Sequence, residues 1–193
     1  MKTPQFYLAS TSPRRKQLLE QLGLRFELLA VEVDEAARPA EPPRDYVLRV
    51  ALLKAEAVAA KLDKPAVPIL AADTTVALDG DILGKPRDRQ DAIEMLVRLG
   101  GRRHQVLSAV ALWHEGVLET ALSESQVRFR GISPAEAGAY WDSGEPRDKA
   151  GAYGIQGLGA IFVASLEGSY SGVMGLPLFE TAALLGTAKV RVL

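Results

Sequence analysis

The sequence predicts an α/β fold in which a mixed central sheet is flanked by helices, and three observations carry that prediction. Short apolar strand segments alternate with capped amphipathic stretches along the whole chain. Two turn signals, Asp79-Gly80 and His114-Glu115-Gly116, each separate strand-like runs and so add antiparallel hairpins to the sheet. No internal repeat, low-complexity segment or linker divides residues 1–193, so they read as a single domain.

Composition narrows the chemistry. With 23 basic and 24 acidic residues the net charge is −1, which gives no overall attraction to nucleic acid or anionic membrane; any anion site is local. The absence of cysteine removes disulfides, thiol nucleophiles and cysteine zinc sites. Only His104 and His114 can supply imidazole, so a bound metal is expected to be a hard cation on carboxylates. No signal-peptide pattern opens the chain and no apolar run reaches about 18 residues, so the cytoplasm is the expected location.

In chain order, Phe6–Ala9 reads as a short buried strand. Ser12 is a suitable N-cap with Pro13 at the first helical position, and the helix carries Leu18, Leu19 and Leu22 before stopping at Gly23. Arg14 and Arg15 therefore lie in its first turn, where the helix dipole disfavours them by a few tenths to about 1 kcal/mol. An anion at the exposed backbone N–H groups would offset that cost; pairing with Glu20 is the alternative.

Glu32–Glu35 is expected to end the second strand, with Asp34 and Glu35 at its edge. Proline-rich Ala36–Pro43 reads as a loop, and a long helix runs from Pro43 or Arg44 to Leu62. Lys54 interrupts its apolar stripe of Val47, Val50, Ala51 and Val58. It either snorkels to solvent or points into an internal anion pocket.

Ile69–Leu78 is the central strand. Its period of two puts Ala71, Asp73, Thr75 and Ala77 on one face, and Thr74, Val76 and Leu78 on the other. A carboxylate at Asp73 needs a partner or a ligand, and Lys85, beyond the return strand Ile82-Leu83, is one candidate. Asp88 caps the next helix, whose buried face is Ile93, Leu96 and Val97 and which ends at Gly100-Gly101. Gln105–Trp113 and Val117–Leu122 form a hairpin, and Gln126–Arg130 is a further strand. Ser133-Pro134-Ala135-Glu136 is a capping box opening a helix to about Ser143.

Gly144–Gly159 holds five glycines, with Asp148, Lys149, Tyr153 and Gln156 among them, and reads as a loop whose backbone approaches a ligand. It has neither the phosphate-loop spacing nor the dinucleotide fingerprint. Ala160–Leu166 is expected as a strand, Gly168–Gly175 as a turn-rich return, and Pro177–Leu185 as the last helix. Basic residues at a helix start, further lysines, strand-end carboxylates and a polar glycine loop together suit Mg²⁺-dependent phosphate-ester or anhydride hydrolysis. The substrate is not legible from these features.

Three segments, ASTSPRRKQLL, AADTTVALDGDILGKPRD and GEPRDKAGAYGIQG, in that order and spanning roughly Phe6 to Leu185, resemble the Maf family of nucleoside triphosphate pyrophosphatases. The resemblance implies an elongated α/β fold of two lobes with a cleft between them, similar to inosine triphosphate pyrophosphatases. It implies hydrolysis of a nucleoside triphosphate to the monophosphate and pyrophosphate with a divalent cation, Mg²⁺ or alternatively Mn²⁺. The DKAGAYGIQG form resembles the branch acting on dTTP and UTP, with modified pyrimidine nucleotides as further substrates. By motif, Asp73 would be the catalytic acid–base residue. Ser10, Arg14, Arg15, Lys54, Thr74, Lys85 and Gln156 would bind substrate, and Glu35 with Asp73 would hold the metal. A 7-methyl-GTP preference and a non-catalytic, nucleotide-binding role in cell division are the alternatives. Neither nucleic acid nor membrane is an expected partner; oligomeric state stays open, a homodimer included.

Overall fold

The computed structural model describes residues 4–63 and 65–192. Seven strands form one sheet in the order β2-β1-β3-β5-β6-β7, with β4 paired to β3. The strands are β1 (Phe6–Ala9), β2 (Phe26–Leu28), β3 (Ile69–Leu78), β4 (Asp81–Leu83), β5 (Arg103–His114), β6 (Val117–Phe129) and β7 (Val163–Glu167). β1 runs parallel to β2 and β3, whereas β3, β5, β6 and β7 are joined antiparallel, so the sheet is mixed. Helices α1 (Pro13–Gln21), α2 (Pro43–Lys61), α3 (Arg89–Leu99), α4 (Pro134–Asp142), α5 (Tyr170–Met174) and α6 (Leu178–Thr187) complete it. None is long and apolar enough to cross a membrane.

β3 organises both cores, because its alternation sends side chains to opposite faces. Leu70, Ala72, Val76 and Leu78 join the larger cluster with Leu18 and Leu19 of α1 and Leu96 of α3. Ile69, Ala71 and Ala77 join the other, under Val47, Ala51, Ala55 and Val58 of α2. The alanines of α2 let its axis lie close to the sheet, and each fully buried valine contributes about 1.5–3 kcal/mol. The β3–β4 hairpin turns at Asp79 (φ 54°) and Gly80 (φ 89°), the pair of positive φ values that a two-residue type I′ turn requires.

Local chemistry explains the helix starts. Ser12, Asp88 and Ser133 cap α1, α3 and α4, and the Ser133–Glu136 box is reciprocal. Elsewhere the chain departs from expectation. β2 stops at Leu28, so Glu32–Glu35 lies in the loop before α2 rather than on a strand. Val117–Leu122 and Gln126–Arg130 belong to one continuous strand, β6. Its polar centre is tolerated because buried Ser125 exchanges hydrogen bonds with Ser169. Gly168–Gly175 contains a one-turn helix, α5, and residues 158–162 form a 3₁₀ turn before β7 begins at Val163. On α3, Ala92 and Leu99 are buried with Leu96, while Val97 is 39% exposed.

Candidate active site

The site sits in a gap in the sheet. Along the edge of β3 away from β5, β1 pairs as far as Ala71 and β4 takes over only at Val76. Among the described residues Ala72–Thr75 therefore have no strand neighbour on that side, although β5 pairs them all on the other. Adjacent side chains that a neighbouring strand would separate can thus open onto one space. Asp73, on the α2 face, and Thr74, on the α1 face, both line a cavity of about 550 Å³.

On the α2 face, the apolar stripe of α2 delivers Lys54 to the cavity. Its Nζ lies 2.8 Å from Asp73 Oδ1 and 2.9 Å from Glu35 Oε1. Lys85 is not the partner of Asp73; it is exposed at the cavity mouth after β4. Asp73 is only 6% exposed. Burial lifts its carboxyl above the usual range, although Lys54 and Arg15 pull the other way. Burial, with Asp73 and Glu35 nearby, likewise pushes Tyr46 up to about 12.

On the α1 face Arg15 is buried rather than paired with Glu20, which contacts Lys16 instead. Arg15 Nε donates to Gly175 O at 2.8 Å, while its terminal nitrogens donate to Ser10 Oγ (3.3 Å) and Thr74 Oγ1 (3.4 Å). Ser108 Oγ donates to Gly172 O at 2.6 Å and lies 2.8 Å from Thr74 Oγ1. This network ties α1, β3, β5 and α5 together beneath the cavity. Burial lowers the affinity of the Arg15 guanidinium for its proton, with Asp73 opposing. Arg14 points along the rim, 3.9 Å from Asp148.

The glycine-rich segment closes the remaining side with Asp148, Lys149, Tyr153 and Gln156. Its glycines serve the loop's own packing. A Cβ at Gly157 would lie 2.1 Å from Glu145 Oε2, one at Gly154 2.8 Å from Lys149 Cε, and one at Gly151 2.9 Å from Val76. Gln156 is exposed, and among the described residues no hydrogen bond holds its amide.

All nine residues expected at the site, Ser10, Arg14, Arg15, Glu35, Lys54, Asp73, Thr74, Lys85 and Gln156, line this one cavity. Sequence reasoning left Lys149, Tyr46 and the Gly175 carbonyl unassigned, although all three residues line it too. A lysine between glycines was a visible signal; a backbone carbonyl leaves none in residue type. Among the described residues no three His, Cys, Asp or Glu side chains gather as a metal-holding group. Two carboxylates do meet, and the cation between them is the Lys54 ammonium.

Residues 5–188 match the family described as Maf-like protein. The chain is 55% identical over 194 residues to a dTTP/UTP pyrophosphatase of Cupriavidus pinatubonensis (strain JMP 134 / LMG 1197), covering 96% of this chain and 97% of that one. It is 54% identical over 196 residues to the dTTP/UTP pyrophosphatase of Bordetella parapertussis (strain 12822 / ATCC BAA-587 / NCTC 13253), covering 98% and 95%. A solved structure of the Staphylococcus aureus Ham1 protein aligns with TM-score 0.45 and 18% identity over 67% of this chain and 72% of that one.

Proposed function

The chain belongs to the Maf family, and from that premise we propose that it hydrolyses dTTP and UTP to the monophosphate and pyrophosphate. The observation that carries this reading is the convergence of Asp73, Lys54, Arg15, Lys85 and Gln156 on one cavity, in a chain 54–55% identical to dTTP/UTP pyrophosphatases. Asp73 accepts a proton from water as the water oxygen bonds to the α-phosphorus. The bond from that phosphorus to the α–β bridging oxygen breaks, and pyrophosphate leaves with its electron pair. Burial suits Asp73 to this, because it makes the carboxylate a stronger base than an exposed aspartate. Arg14, Lys54, Lys85 and Lys149 offset the triphosphate charge from several sides. Arg15, held by Gly175 and Thr74, contributes its charge from a fixed position.

The donor set fits a divalent metal. Glu35 Oε1 and Asp73 Oδ1 already converge on one cation position, and Mg²⁺ or Mn²⁺ takes one or two protein carboxylates with phosphate oxygens and water. Glu35 and Asp73 would hold it, and it would neutralise charge on the phosphates.

The Gln156 amide suits a pyrimidine edge that offers a carbonyl acceptor beside an N–H donor, as uracil and thymine do. Cytosine reverses both groups. Among the described residues no hydrogen bond fixes this amide, so discrimination against CTP is set by one or two unmade hydrogen bonds, about 10- to 100-fold. A panel of dTTP, UTP, CTP, purine triphosphates and 7-methyl-GTP, followed by pyrophosphate release with and without Mg²⁺, tests the reading. Faster turnover of 7-methyl-GTP, or binding without turnover, overturns it.

A further inference from the structure

Glu145, at the start of the glycine-rich segment, does not line the cavity, yet its carboxylate gathers the backbone on both sides of Gln156. Oε2 accepts from Leu158 N at 2.8 Å, and Oε1 accepts from Gly159 N at 3.1 Å. Tyr140 OH donates to Oε1 at 2.6 Å and itself accepts from Gly154 N at 3.0 Å. Three backbone N–H groups, two residues before Gln156 and two and three after it, are therefore satisfied by one carboxylate and its phenol relay. The carbonyl of Glu145 takes the Lys149 ammonium at 2.6 Å. Behind the loop, Tyr140 packs edge-on against Phe162, and Tyr153 against Phe129, which gives the clamp a rigid back wall.

The chemistry of this clamp is specific to a carboxylate. All three groups facing Glu145 are donors, and only an ionised side chain accepts at both oxygens. Burial would raise its pKa, but the hydrogen bonds from Tyr140, Gly159 and Leu158 outweigh it and keep the carboxyl below its usual value. Gly157 is a glycine because Glu145 occupies the space where a Cβ would stand. Among the described residues no hydrogen bond holds the Gln156 side chain, so where its amide starts from is set by its backbone, which Glu145 holds on both sides.

We propose that Glu145 is the positioning residue for base selection: it fixes the Gly154–Gly159 backbone so that the Gln156 amide meets the edge of the pyrimidine. This rests on the pyrimidine triphosphate reading above. The test compares Glu145→Gln with wild type in three measurements: kcat and KM for dTTP and CTP, inhibition by inorganic tripolyphosphate, and amide hydrogen exchange of Leu158 and Gly159. Gln keeps the shape but turns an NH₂ toward a donor. We expect the dTTP-to-CTP ratio of kcat/KM to fall about tenfold or more, chiefly through KM for dTTP, with both amides exchanging faster. Tripolyphosphate has no base, so its inhibition should stay within about twofold. If Glu145→Gln does not fold, Tyr140→Phe removes the Gly154 arm and carries the same comparison. An unchanged ratio, unchanged exchange, or a parallel loss of tripolyphosphate binding overturns the proposal. Failure of the underlying reading is distinct: wild type itself would then not prefer dTTP.

Discussion

Lys54 of α2 and Asp73 of β3 form a buried ion pair, Nζ to Oδ1 at 2.8 Å, between residues 19 apart in sequence. Neither charge is tolerable alone at that depth, and Glu35 shares the ammonium from the loop side at 2.9 Å. The pair therefore joins the proposed base, the proposed phosphate-binding cation and the carboxylates proposed to hold a metal in one electrostatic unit.

Asp73→Asn should remove turnover by about 10²–10⁴-fold or more, the range for losing a general base. Lys54 keeps Glu35 as a counter-charge, so the melting temperature should fall by only a few degrees. Steady-state kinetics with thermal denaturation checks both, and activity near wild type ends the role of Asp73.

Lys54→Met should tighten Mn²⁺ binding in the absence of nucleotide by about tenfold or more. At an effective dielectric of ~20 a neighbouring unit charge is worth on the order of kcal/mol. Titration calorimetry of the nucleotide-free protein reads this directly. In wild type, chelation should abolish turnover yet leave the melting temperature almost unchanged, because Lys54 balances Glu35 and Asp73 when no metal is bound. Equal Mn²⁺ affinity in the two proteins would mean that the ammonium and the metal do not share a position.

Arg15→Ala and Lys85→Ala should behave differently. Removing Arg15 takes the 2.8 Å donor from the Gly175 carbonyl and leaves it the longer contact from Thr74 Oγ1 at 3.3 Å, at a cost of about 1–3 kcal/mol and so roughly 2–12 °C in melting temperature. Exposed Lys85 should leave melting unchanged and raise KM for nucleotide. Differential scanning fluorimetry beside KM measurement separates them; equal loss of stability would contradict the geometry.

His104 is buried, with Nε2 2.9 Å from Tyr153 OH, and burial holds its pKa down at about 4. The unfolded chain, with His near 6.5, then binds more protons than the fold between pH 6.5 and 4. Stability is thus unaffected above pH 6.5 and falls as pH drops toward 4, by on the order of 3 kcal/mol from this group. Urea midpoints across that range, with NMR titration of the imidazole, check it. A His104 resonance titrating near 6.5 would be the contrary result.

Much of the fold was legible because its signals are local. Asp79-Gly80 fixes the β3–β4 hairpin, and Ser12, Asp88 and Ser133 mark three helix starts, each cap through a side chain meeting backbone three residues on. The face on which Asp73 sits followed from strand period alone. Its partner did not: choosing Lys54 over Lys85 requires knowing that α2 crosses that face. The polar run Ser123-Glu124-Ser125 imitated a strand break because its satisfying partner, Ser169, is 44 residues away. The glycine-rich segment misled for a related reason, since its glycines make room for the protein's own side chains: Val76 at Gly151, Lys149 at Gly154, Glu145 at Gly157 and Tyr140 at Gly159.

The interruption of the β3 edge bears on whether another chain's strand could add to the sheet there. An exposed row of unpaired strand groups is a template for another molecule's strand. Here the row without a strand partner is four residues, Ala72–Thr75, stopped at one end by β1 and at the other by β4. A foreign strand could not extend along it without displacing one of these native neighbours. Sheet polarity open enough to receive a small ligand is thus kept too short to recruit a second chain.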